Sequence, residues 1–123
     1  MSALEFLSPG LAAPEAVWRS PLERFLPEGT EDLSHLPKFK VPGEWRLVLE
    51  DPPPGAIDVS AAYAGLLITD ERAMRRLTDL DLDKLPAAGA FARIEAFVFP
   101  GYRVFFPQEY GRYVCEAVED ALS

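Results

Sequence analysis

The chain has one cysteine, Cys115, and one histidine, His35, in 123 residues. A lone thiol excludes an internal disulfide and any metal site built from clustered cysteines. A lone imidazole removes most histidine-based catalysis. Long apolar runs are missing too. None approaches the roughly 20 residues that cross a bilayer, and Met1 to Pro14 carry no basic stretch ahead of their apolar residues. Neither a membrane span nor a secretory signal is therefore expected, and the reading is cytoplasmic. Positive charge is scarce as well: 12 Lys and Arg stand against 20 Asp and Glu, a net charge of −8. Such a surface repels phosphate, which argues against nucleic acid and anionic membrane as partners.

Apolar residues are not lacking. At 49% of the chain they suffice for one core, whereas two domains of about 60 residues each would be marginal. Proline is unevenly spread. Pro9, Pro14, Pro21, Pro27, Pro37, Pro42, Pro52, Pro53 and Pro54 all precede residue 55. Each ring fixes φ and removes a backbone donor, so this half reads as extended segments and turns. Two roles fit it: a flank lying on the core, or an arm that covers a partner at small entropic cost. The division expected is a proline-rich arm over 1–30 and a single domain over 31–123.

Within the first half, residues 44–50 read as a strand, with Trp45, Leu47 and Leu49 alternating against Arg46, Val48 and Glu50. The prolines at 52–54 end it. Residues 57–60 and 64–69 are β-type, the latter an unbroken apolar run. Thr69 or Asp70 can then cap a helix over 71–77 that turns Ala73, Met74 and Leu77 to one side. Residues 91–99 read as one long strand, and residues 102–106 return antiparallel after Pro100-Gly101 through a loop longer than two residues. Pro107 opens a last helix whose stripe is Tyr110, Tyr113, Val114, Ala117, Val118, Ala121 and Leu122, with Cys115 off it. Arg112, Glu116, Glu119 and Asp120 form its polar face. The order of elements indicates an α+β protein, an antiparallel sheet with two helices on one face.

No catalytic set and no metal site emerges from the residues. In Asp32-Leu33-Ser34-His35 the serine and histidine are sequence neighbours, which rarely meet as nucleophile and base, so a hydrogen-bonded turn is the simpler reading. Asp79-Leu80-Asp81-Leu82-Asp83 resembles the start of a calcium loop, but Lys84 stands where the turn glycine belongs and Ala90 where the bidentate glutamate belongs. Arg72, Arg75 and Arg76 cluster, which invites a bound anion, although pairing with Asp70, Glu71 or Asp79 explains them as well. If a ligand anion is held at all, Arg72, Arg76, Arg93 and Arg103 are the sources. Phe97, Phe99, Tyr102 and Phe105 crowd one hairpin. One of its faces packs under the helices; the other needs either the proline-rich flank or a partner to cover it. Those four residues are the candidate interface.

The order of segments then resembles a known family. Residues 19–22 (Arg-Ser-Pro-Leu), the strand around Trp45, Ile57-Asp58-Val59-Ser60 with Ala61-Ala62-Tyr63, Ala73 to Leu77 with Leu80-Asp81-Leu82, Leu85-Pro86 through Gly89, and Tyr110-Gly111-Arg112-Tyr113-Val114 together resemble the gamma subunit of heterotetrameric sarcosine oxidase. That subunit shares a fold superfamily with the folate-binding aminomethyltransferase. The catalytic aspartate of the transferase has no counterpart here, and the Lys-Gly-Cys-Tyr-type loop of the related iron–sulfur-cluster repair proteins is absent. The resemblance implies part of the aminomethyltransferase folate-binding fold. It also implies a non-catalytic accessory subunit of a flavin-dependent amine-oxidising complex, with FAD, FMN, NAD and tetrahydrofolate held by larger flavoprotein subunits. Two alternatives stand beside it: a separate folate-binding or aminomethyltransferase-like protein, and a structural domain that forms a homodimer.

Overall fold

Eight short strands and two helices make up the structure, a computed structural model that describes residues 18–44 and 46–123. In chain order these are β1 (Thr30–Asp32), β2 (Phe39–Lys40), β3 (Leu47–Val48), β4 (Ile57–Asp58), β5 (Tyr63–Ile68), α1 (Glu71–Leu77), β6 (Ala87–Phe91), β7 (Ile94–Phe99), β8 (Arg103–Pro107) and α2 (Gly111–Leu122). Five strands form an antiparallel sheet in the order β1-β5-β8-β7-β6, and the other three form a small antiparallel sheet in the order β3-β2-β4. The class is α+β, as the segment order indicated. No helix among the described residues is long and apolar enough to cross a membrane.

Strand alternation divides the apolar residues between two cores. Ala64, Leu66, Ile68, Ala96, Val98, Val104 and Phe106 face the helices, where Ala73 and Met74 of α1 and Val114, Cys115 and Val118 of α2 meet them. The opposite face carries Phe97 and Phe105, over which Leu33, Leu47, Leu36, Leu49 and Val59 from the first half are laid. The proline-rich half thus acts as a flank covering its own sheet. Residues 1–17 of the expected arm lie outside the described residues, but Leu22 of that arm is wholly buried in the helix-side core. A Cβ on Gly111 would come within 2.9 Å of the Leu22 side chain, so the absence of one lets the arm lie against the start of α2.

Local chemistry sets α1. Asp70 is its N-cap, accepting the N–H groups of Arg72 at 2.8 Å and Ala73 at 3.2 Å. The loop between β7 and β8 holds three residues, Pro100, Gly101 and Tyr102, which satisfies the twist that a two-residue Pro-Gly turn would oppose.

Three expectations are corrected. The strand read over 91–99 is broken after Phe91: Phe91 pairs with Ile94 across a two-residue turn, so Ala87–Phe91 is a separate edge strand. Both turn residues, Ala92 (φ 52°) and Arg93 (φ 69°), adopt the left-handed conformation usually left to glycine or asparagine, which is why no turn signal marks them. The strand over 44–50 shrinks to Leu47–Val48 and joins the small sheet; Trp45 lies outside the described residues. The stripe of α2 is rotated. Cys115 is buried, while Tyr110 (41%) and Tyr113 (47%) remain exposed. The sheet takes the narrower face of 111, 114, 115, 118 and 121, and the phenols stay where their hydroxyls meet water.

Candidate functional site

The four residues expected to form one interface do not share a surface. Phe105 (0% exposed) and Phe97 (7%) lie under the small sheet, and Phe105 meets Phe99 edge-on at 5.6 Å. Tyr102 packs against the helix-side core. Among the described residues, however, the cover over the sheet stops short of β6. Between β3 and β6 runs an apolar groove of about 440 Å3, lined chiefly by Leu47, Val48, Pro86, Ala88, Phe97 and Phe99. A second depression of about 310 Å3 shares Ala88 and Phe97 and continues to Tyr63 and Pro107. Of the candidate interface residues, Phe97 and Phe99 therefore reach a groove, and the other two do not.

Among the described residues, the strand beside that groove is one of the sheet's two edges. In an antiparallel ladder, bonded and non-bonded pairs alternate. Phe91↔Ile94 closes the turn as a bonded pair, so Gly89↔Ala96 and Ala87↔Val98 are bonded as well. The backbone groups of Ala88 and Ala90 accordingly point away from β7. Ala90 uses its carbonyl to accept the Thr78 hydroxyl at 2.7 Å. The N–H and C=O of Ala88 thus point outward from the edge, and Ala88 itself is exposed and lines the groove.

The four candidate arginines divide as well. Arg76 donates through Nη1 to the carbonyl of Ala121 at 2.8 Å, which ties α1 to the end of α2. Arg76 and Arg93 line one cleft, and Arg72 and Arg76 line the next. Arg103 stands apart, donating to the Pro100 carbonyl at 3.0 Å and lying 5.6 Å over the Phe99 ring. Arg75 is paired with Glu71.

The Asp-Leu-Ser-His segment is a turn. Asp32 accepts the N–H of Ser34 at 2.9 Å, and the Ser34 hydroxyl accepts the N–H of Gly65 at 3.1 Å. Ser34 is buried and His35 exposed, so the two do not form a dyad. In the Asp-Leu-Asp-Leu-Asp segment Leu80 and Leu82 turn inward, and Asp81 accepts the N–H of Asp83 at 3.0 Å. No group of three or more His, Cys, Asp or Glu side chains that could hold a metal ion occurs among the described residues.

The sequence gives no sign of Lys38, whose side chain is wholly buried. Its ammonium donates to the carbonyls of Ser34 and Leu36, both at 2.7 Å, and stands 5.9 Å from the centre of the Phe105 ring. Burial lowers its pKa against the opposing pull of Asp32 and Asp58. Nothing in the sequence marks it, because lysine is seldom enclosed. Its donors are spent on the turn that carries Ser34, a structural use.

Cys115 is enclosed too, and burial, aided by Asp32, Glu116 and Glu119, pushes its pKa up to about 11. The thiolate is the reactive form, so this thiol is inert in the folded chain. An aromatic disulfide reagent at neutral pH is expected to leave the native protein unlabelled and to react with one thiol after unfolding in urea. The native state binds the extra proton, so the contribution of Cys115 to stability is intact below about pH 9 and is lost as pH rises through about 11. That loss should vanish in Cys115→Ala, as alkaline urea titrations can check.

Fold and surface together define an α+β domain with two packed cores and an open sheet edge beside an apolar groove. No protein-family model, curated protein or solved structure matches the chain.

Proposed function

We propose that this chain is a non-catalytic accessory subunit that docks on a larger protein, taking an extended segment of that partner against the β6 edge. The observation that carries the reading is the groove of about 440 Å3 along a free strand edge whose Ala88 backbone groups are turned outward. An added strand gains main-chain hydrogen bonds from the edge and side-chain pockets from the groove. The resemblance of the segment order to the gamma subunit of sarcosine oxidase supplies the class of partner: flavoprotein subunits of an amine-oxidising complex, which would carry FAD, FMN, NAD and tetrahydrofolate. Of the regions from which an interface was expected, the groove includes Phe97 and Phe99 of the hairpin and no described residue of the arm over 1–30.

The test is capture of partners by the tagged chain expressed in its own cells. A flavoprotein is expected to co-purify in stoichiometric amount. Ala88→Glu, which sets a charge on the groove at an exposed position, should cut the captured flavin about tenfold, the scale of a central contact. Glu119→Ala on the far surface of α2 should leave it unchanged. A tagged chain that brings down no flavoprotein, or one whose flavin yield ignores Ala88→Glu, would end the reading. A species of twice the monomer mass without flavin would replace it with self-association. Phe97→Asp is no test of that alternative, because Phe97 is buried and the substitution would strike the fold.

A further inference from the structure

Acidic residues outnumber basic ones in this chain, so partners for its arginines are plentiful. Arg19, Arg46, Arg75 and Arg112 each pair with a glutamate, and Arg103 lies on Phe99 and the Pro100 carbonyl. Arg93, like Arg24 and Arg72, has no such engagement among the described residues. It lines a cleft of about 320 Å3 between the end of α1 and the β6–β7 turn, together with Arg76, Leu77, Leu80 and Ala90.

The backbone that presents Arg93 is strained. Ala92 and Arg93 hold φ of 52° and 69°, and a non-glycine residue stays in that region only where its surroundings fix it. Here they do. The N–H of Ala92 donates to the Leu77 carbonyl at 2.7 Å and its side chain is buried, which pins the turn to the end of α1. The hairpin would be eased by glycine at 93, yet an arginine that lines the cleft stands there. Arg76 gives one nitrogen to Ala121 and keeps the rest of its fork.

We infer that this cleft binds a small organic acid, its carboxylate held between Arg76 and Arg93 and its apolar body lying on Leu77, Leu80 and Ala90. Guanidinium groups match a carboxylate through paired N–H donors. Asp79 also lines the cleft, so two cations face one anion. The remaining single positive charge suits a monocarboxylate better than a dianion. The volume falls at the small end of ligand pockets, which sets the ligand's size. The inference stands independently of the docking role, since the cleft and the groove share no residue.

Amide NMR of the whole chain with three probes decides it: benzoate, phenyl phosphate and benzyl alcohol. Benzoate is expected to shift the amides of residues 77–80 and 90–93 saturably, and benzyl alcohol to leave them in place. Arg93→Gly should weaken benzoate about tenfold, the scale of one lost charged contact, while melting at a higher temperature than the unaltered chain because the turn strain is relieved. The gain in stability separates loss of the site from loss of the fold. Arg103→Gln should bind as before. Absence of saturable shifts, equal binding of benzyl alcohol, or unchanged affinity in Arg93→Gly would overturn the inference. Tighter binding of phenyl phosphate would overturn the carboxylate assignment.

Discussion

Gly65→Val is expected to lower the unfolding free energy by about 3 kcal/mol, the upper range for overpacking a filled core. By β-propensity alone the change should help, since valine favours strands and glycine weakens them. The position forbids it. Gly65 sits in β5 directly opposite Phe105 of β8, and that ring lies across the space a side chain would fill. A Cβ there would be 2.5 Å from Cε1 of Phe105, 2.7 Å from its Cδ1 and 3.0 Å from the Leu33 carbonyl oxygen. Phe105 is wholly enclosed by the small sheet and cannot swing away, and the third atom is backbone. Urea titration measures the loss. Combining Gly65→Val with Phe105→Leu should recover part of it, because residues in contact fail to add. A single substitution that costs under about 1 kcal/mol would mean that the two layers are not packed together as described.

Lys38→Met is expected to cost about 2 kcal/mol. The substitution keeps the unbranched stem that fills the space beside Phe105, but strips the donors from the buried carbonyl of Ser34 and the half-buried carbonyl of Leu36. Relief from enclosing a charge offsets part of that loss, which is why the net figure falls short of two full charge-assisted bonds. The pH dependence identifies the cause. Burial lowers the Lys38 pKa below its ordinary value of 10.5, so across the window between the two the unfolded chain holds more protons. The contribution of Lys38 to stability therefore rises with pH in that window, and Lys38→Met should abolish the rise. Cys115 acts in the opposite direction at alkaline pH, so the comparison is cleanest with Cys115→Ala present in both proteins. An alkaline limb unchanged by Lys38→Met would show the amine to be solvated.

The parts of the fold governed by neighbours in sequence were legible in it. Asp70 followed by Glu71, Ala73 and Met74 specifies α1 through its cap and one apolar side, and the unbroken run at 64–68 specifies a doubly covered strand. The parts settled by distant neighbours were not. Residues 87–90 are small and poor in strand preference, and only pairing with β7 makes them β6. The two-residue strands of the small sheet have no pattern of their own; they exist because the Phe97 and Phe105 face had to be covered. That same cover dissolved the expected four-residue interface and left the groove at its margin. The arginines were visible as a set of four, but only the tertiary fold sets Arg76 and Arg93 on one cleft and sends Arg103 elsewhere. Lys38 left no trace in sequence because its enclosure comes from segments 22 residues apart, joined where its N–H meets the Ser60 hydroxyl.

An edge strand with open backbone groups is a liability that proteins blunt or use. Here one end of β6 is blunted by Thr78, and the other is left open beside an apolar groove, which accords with use. The most direct measurement is the native mass at which this chain migrates in an extract of its own cells, read together with flavin absorbance. Migration far above the monomer mass, coincident with flavin and lost in Ala88→Glu, is the expected result. Migration at the monomer mass, with no flavin in those fractions, would contradict the role of a docking subunit.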